Sequence, residues 1–193
     1  MNTLRMNTLG MNTRRKTSGA VVALLMLAAC GSATTKASPA TSAAPTTHGA
    51  TTATISELTK MICEPEAQHD IAGTLGVKTT RALEPTWVAH DYSCRYVYDH
   101  GVMRLSVKQL PDDASTNRYV DGLAEQLGKR ETLQGLGQGA FTTSNNSVVV
   151  RKDDKVLVVD VHGLPAEFGN PPDTRANVAI SVAATIMGCW KGE

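Results

Sequence analysis

The stretch CRYVYDHGVMRLSVKQL, residues 94–110, decides the fold. Two runs, Cys94 to Tyr98 and Val102 to Leu110, flank Asp99-His100-Gly101, a short glycine-bearing loop of the kind that closes antiparallel hairpins. In the second run Met103, Leu105 and Val107 alternate with Arg104, Ser106 and Lys108, so successive side chains fall on opposite faces of a strand. One side of this sheet is therefore expected to be wet and the other to carry the core.

Downstream, Ala140 to Thr143, Ser147 to Arg151 and Val156 to Val161 read as a second antiparallel group. They are separated by Asn145-Asn146 and Asp153-Asp154, pairs that tolerate the left-handed backbone tight turns require. Helices are expected around Ile55 to Ile62 and from Pro65 to about Leu75. Pro65 suits a first helical position, where the donor it lacks is unpaired anyway, and Gly76 suits the stop. Asp113 to Leu127 forms a third helix, with Tyr119, Leu123 and Leu127 on its buried stripe. The last, about Thr174 to Trp190, places Ala176, Ala179, Ile180, Ala183, Ile186, Met187 and Trp190 on one stripe. The expected fold class is α+β: an antiparallel sheet in two groups of strands, with helices at both ends packed on it, in one domain spanning 55–193. Its 139 residues suffice to bury about two-thirds of their unfolded surface in one core.

Upstream of Ile55 the composition changes. Residues 1–54 contain no Asp or Glu, and their basic residues are Arg5, Arg14, Arg15, Lys16 and Lys36. From Ile55 onward 14 Lys and Arg face 18 Asp and Glu, about −4, although the whole chain carries +1. Nucleic acid is excluded as a partner on this ground, because phosphate binding along a duplex needs a basic face. Arg14 to Lys16, the apolar run Ala20 to Ala29 and the small residues before Cys30 make 1–29 a secretory signal. The run is roughly half the ~20 residues a membrane span needs. Met-Asn-Thr recurs at Met1, Met6 and Met11, three candidate starts, of which Met11 leaves the basic cluster in the usual place in a compact signal. Residues 31–54 are Ala, Thr or Ser at 18 of 24 positions, a composition that cannot offset its own ordering entropy. They are read, with Cys30, as a tether of roughly 27 Å reach.

Leu27-Ala28-Ala29-Cys30 resembles the lipobox of bacterial lipoproteins, in which the cysteine is diacylated and becomes the first residue of the mature chain. The resemblance implies lipid attachment at Cys30 and a place on the extracytoplasmic face of the cell membrane. Two acyl chains anchor stably where one is marginal.

Outside the cytosol a pair among Cys63, Cys94 and Cys189 is expected to bridge, and spacing alone does not separate the three pairings. Cys63 to Cys94 is preferred, since it clips the first helix to the first core strand. Cys189 is then left near the end of the last helix, a bridge to Cys63 being its alternative. The order of elements also resembles small actinobacterial cell-envelope lipoproteins: a cysteine before an N-terminal helix, Leu75-Gly76-Val77, Cys94-Arg95-Tyr96, then GLGQGAF at 135–141 leading into VVVRK and VLVV. This implies an antiparallel sheet with flanking helices and a disulfide in the first third. It brings no reaction, and no catalytic residue carries over.

Motifs for chemistry are missing. Gly135, Gly137 and Gly139 form GxGxG, but a strand follows where a dinucleotide loop needs a helix, so a turn that lets backbones approach is expected and no cofactor is assigned. His48, His69, His90, His100 and His162 show no metal-ligand spacing, and there is no GxSxG elbow. The sequence therefore reads as a non-enzymatic binding module for an envelope lipid, glycan or protein. The alternative is a structural or antigen-like surface protein acting through protein contacts. An envelope hydrolase is a weaker third. The loop LPAEFGNPPD, residues 164–173, with Phe168, Pro171 and Pro172, is the expected contact surface.

Overall fold

The computed structural model describes residues 54–190. The segment read as a signal, 1–29, together with Cys30 and the segment read as a tether up to residue 53, lies outside the described residues.

Helix α1 (Glu57–Lys60) opens on Ser56, whose hydroxyl accepts from the Thr59 N–H at 3.2 Å, and a 3-10 turn (Met61–Cys63) extends it. Helix α2 (Pro65–Leu75) begins at the proline and stops at Gly76, whose φ of 65° is left-handed. A side chain at Gly76 would run into the Asn170 carbonyl. Strands β1 (Thr86–Val88), β2 (Asp91–Tyr98) and β3 (Gly101–Gln109) form one meander. Helix α3 (Asp113–Gln126) crosses to the far edge, where β4 (Lys129–Leu133), β5 (Gly139–Thr143), β6 (Val148–Lys152) and β7 (Lys155–Gly163) return as a second. A two-stranded ribbon, β8 (Glu167–Phe168) with β9 (Asp173–Thr174), precedes α4 (Arg175–Cys189).

The fold class is α+β, and the two expected groups are joined: β3 pairs with β7, giving a seven-stranded antiparallel sheet in the order β1-β2-β3-β7-β6-β5-β4. Strands β1 and β4 were not foreseen. Both are edge strands, and the charged Lys129-Arg130-Glu131 of β4 reads as loop, although charge is a usual way of blunting an exposed edge.

The inner face of the sheet carries the main core. Tyr96, Met103, Leu105, Val148, Val150, Leu157 and Val159 are all fully buried there, and α2 and α4 pack over them. In α4 the buried line runs through Val178, Ala179, Val182, Ala183 and Ile186, slightly rotated from the expected stripe. Trp190 closes it, its indole N–H donating to the Leu58 carbonyl at 3.0 Å. The Cys63–Cys94 disulfide joins the N-terminal segment to β2 with a Cα separation of 5.7 Å. Cys189 lies outside that bridge, its sulfur 3.6 Å from Asp70 Oδ2.

The outer face is divided. Over β5, β6 and β7 it is covered: Phe141, Val149 and Val156 are buried beneath Tyr119, Val120 and Leu123 of α3. Asp112 starts that helix, accepting from the Ser115 N–H at 2.6 Å, and this bond holds its carboxyl below the ordinary range. Around Arg95 of β2 and Arg104 of β3 no helix residue of the described chain contributes to its lining, and α3 reaches only the Lys108 end of β3 through Tyr119, so this part of the sheet has the wet side that the alternation in β3 implies.

The GLGQGAF segment is a close-approach turn. Gly135 and Gly137 are left-handed, and the Gln138 N–H donates to the Arg151 carbonyl at 2.8 Å. A side chain at Gly137 would meet Val150 Cγ1 at 2.7 Å as well as that carbonyl.

Candidate functional site

The uncovered part of the outer face forms a recess of about 780 Å³. Its floor is set by strand register. The two-residue turn at Asp99-His100 places Arg95 of β2 directly opposite Arg104 of β3, and Arg104 stands opposite Asp160 of β7. One row across three strands therefore reads Arg95, Arg104, Asp160. Ser93 and His162 lie two residues away from that row on the same face, and both line the recess. The wall comes from residues 77–85, which run along the edge of β2 beyond the short β1. Thr80 pins this segment by giving its N–H to the Val97 carbonyl at 2.8 Å, which sets Arg81 and Glu84 at the rim.

The guanidinium of Arg104 donates to the Ser93 hydroxyl at 3.0 Å, and that hydroxyl is 2.8 Å from the Thr86 hydroxyl. Among the described residues Arg81, Arg95 and Arg104 make no ion pair. Asp160 does not pair with the arginine opposite it. It accepts from the Ser147 hydroxyl at 3.1 Å and the His162 N–H at 3.0 Å, and lies 2.7 Å from His162 Nδ1. Half-burial pushes the Asp160 carboxyl upward, but the backbone and ring bonds from His162, that ring's charge and the Ser147 hydroxyl outweigh it. The carboxyl is held below the ordinary range. Two rows along the same face, where Asp91 stands opposite Lys108, burial pushes the Asp91 carboxyl up, opposed by the charges of Arg104 and Lys108.

Ser147, Asp160 and His162 do come together, which spacing did not foretell, but their connectivity is not that of a nucleophile and its base. The carboxylate sits between serine and histidine, whereas activation needs the imidazole in the middle. Ser147 is also buried, its hydroxyl accepting from the Val161 N–H at 3.3 Å. Among the described residues no group of three His, Cys, Asp or Glu side chains is placed to hold a metal ion.

The expected contact loop needs correction. Phe168 is only 8% exposed and packs edge-on against Tyr98, with ring centroids 4.8 Å apart. The β8–β9 ribbon turns this aromatic into the core, since a large apolar side chain gains more by burial than at a loop tip. Pro171 and Pro172 remain exposed beside a small recess of about 180 Å³. Tyr96 and Tyr98 on the opposite face of β2 are both core.

Comparison with protein-family models, with curated proteins and with solved structures finds no match.

Proposed function

We propose that this chain is an extracytoplasmic lipoprotein, held at the cell membrane by acyl chains on Cys30, whose domain binds an envelope ligand and performs no reaction. The observation that carries the reading is the recess over β2 and β3, where Arg81, Arg95 and Arg104 stand without ion-pair partners among the described residues and no helix residue contributes to the lining. The lipobox and the composition of residues 31–54 support the anchor and a tether. The Cys63–Cys94 bridge supports an oxidising compartment. No helix among the described residues is long and apolar enough to cross a membrane.

A second reading, a surface protein acting through protein contacts, is favoured by the exposed Pro171-Pro172 pair. Native and denaturing mass spectrometry of the full chain, purified from the membrane of an expressing host, separates the two. A mass that survives native conditions and is lost on denaturation supports ligand binding; the diacylated chain alone contradicts it. Cys30→Ala should move the protein from membrane to medium, and its retention in the membrane would refute the acyl anchor.

A further inference from the structure

We infer that the recess binds a phosphoryl group, gripped between Arg95 and Arg104 and closed over by Arg81, and carried on a polar, hydroxyl-bearing body. This rests on the binding-module reading and specifies its ligand.

The argument begins with a local conflict. Like charges directly opposite on antiparallel strands disfavour the sheet that holds them. Arg95 and Arg104 are such a pair, in a domain whose net charge of about −4 offers many carboxylates as counter-ions. The nearest by register, Asp160, is engaged by Ser147 and His162 instead. The Asp91 carboxylate acts on Arg104 only at longer range, without an ion pair. Side chains that break a local rule with no ion pair to offset it point to a functional site, and an anion between the two guanidiniums supplies the offset.

The class of anion follows from number and shape. One guanidinium fork already satisfies both oxygens of a carboxylate. Two forks from neighbouring strands and a third from the rim suit a group with three oxygens and a charge near −2, which is a phosphoryl ester. The recess is much larger than phosphate alone. The rest of its lining is mixed: Ala82, Val97 and Val102 are apolar, while Glu84 accepts hydrogen bonds, Thr86 both donates and accepts, and His162 offers its ring. Hydroxyls on the body of the ligand match these polar groups, and its carbon skeleton matches the apolar ones.

Such a phosphoryl group belongs either to a lipid headgroup in the membrane beside the tether or to a soluble ester. The acylated full chain is reconstituted in phosphatidylcholine nanodiscs, with and without phosphatidylinositol 4-phosphate, whose headgroup carries a phosphomonoester, and titrated calorimetrically with inorganic phosphate and inositol 1-phosphate at constant ionic strength. The expected result is saturable binding of both, weakened about tenfold or more by Arg95→Gln or Arg104→Gln and unchanged by Arg130→Gln on β4. Competition from phosphatidylinositol 4-phosphate assigns the site to a lipid headgroup; undiminished binding of the soluble ester in those discs assigns it to a soluble ligand. A second readout guards against misfolding: Arg95→Gln should melt no lower than wild type without ligand, since it removes a repulsion, and should lose the phosphate-induced rise in Tm. Equal weakening by Arg130→Gln, or no saturable binding by wild type, overturns the inference. A native-bound mass persisting alongside that failure would keep the binding module and reject only this ligand.

Discussion

The Tyr96 hydroxyl donates to the carbonyl of Ile62 at 2.6 Å, inside the core, with Ile62 one residue before Cys63 and Tyr96 two residues after Cys94 of the disulfide. Burial pushes this phenol above its ordinary range, so it remains a neutral donor at any physiological pH. Tyr96→Phe leaves the Ile62 carbonyl without that donor and is expected to cost about 1–3 kcal/mol, measured by urea denaturation with an unchanged slope.

The neighbouring disulfide closes a separation of 31 residues, for which the chain-entropy estimate is about 3–4 kcal/mol. Cys63→Ser with Cys94→Ser should lower stability by that order. Reductant should lower wild type by a similar amount and leave the double variant unmoved. A reductant-sensitive midpoint in the double variant would mean that Cys189 forms a bridge between two copies of the chain.

Gly137 and Gly139 belong to the same motif but should respond differently. Gly137 is left-handed with a φ of 60° and has Val150 and the Arg151 carbonyl against it. Gly139 is not left-handed and has open space where a Cβ would lie. Gly137→Ala is expected to destabilise by about 1–3 kcal/mol. Gly139→Ala should change stability by less than about 1 kcal/mol. Equal effects in thermal melts would contradict the close-approach reading.

Asp160 fixes a pH dependence. Its folded carboxyl titrates below its unfolded value, so its contribution is fully present above about pH 4 and is lost as pH falls through the folded value. Wild type should therefore lose stability on acidification faster than Asp160→Asn in that acidic window. Parallel curves would show that Ser147 and His162 do not hold the carboxylate as described.

Much of this fold was legible because its local signals agree. Pro65 and Gly76 bound α2 as expected, and the Asn146 and Asp153 turns are left-handed as their residue types allow. The turn before β2 was not legible: Ala89 and His90 are both left-handed without the Gly or Asn that usually marks such a turn, so β1 went unseen. The site was half legible. Once Asp99-His100 is taken as a two-residue turn, counting outward puts Arg95 opposite Arg104, and the sequence carried that pairing unread. That Asp160 and His162 join the row depends on β7 pairing with β3, a contact between distant segments that no local pattern announces. Phe168 was misplaced because proline content describes a loop's backbone and not the direction of its one aromatic ring.

Arginine-directed labelling with phenylglyoxal, on intact membranes and on the protein after extraction and delipidation, tests most directly whether the recess is occupied in the envelope. Arg81, Arg95 and Arg104 are expected to be protected in the membrane and reactive after delipidation, with Arg118 and Arg130 reactive in both. Equal labelling of Arg95 and Arg104 in the two preparations would contradict the claim that this face of the sheet holds a ligand.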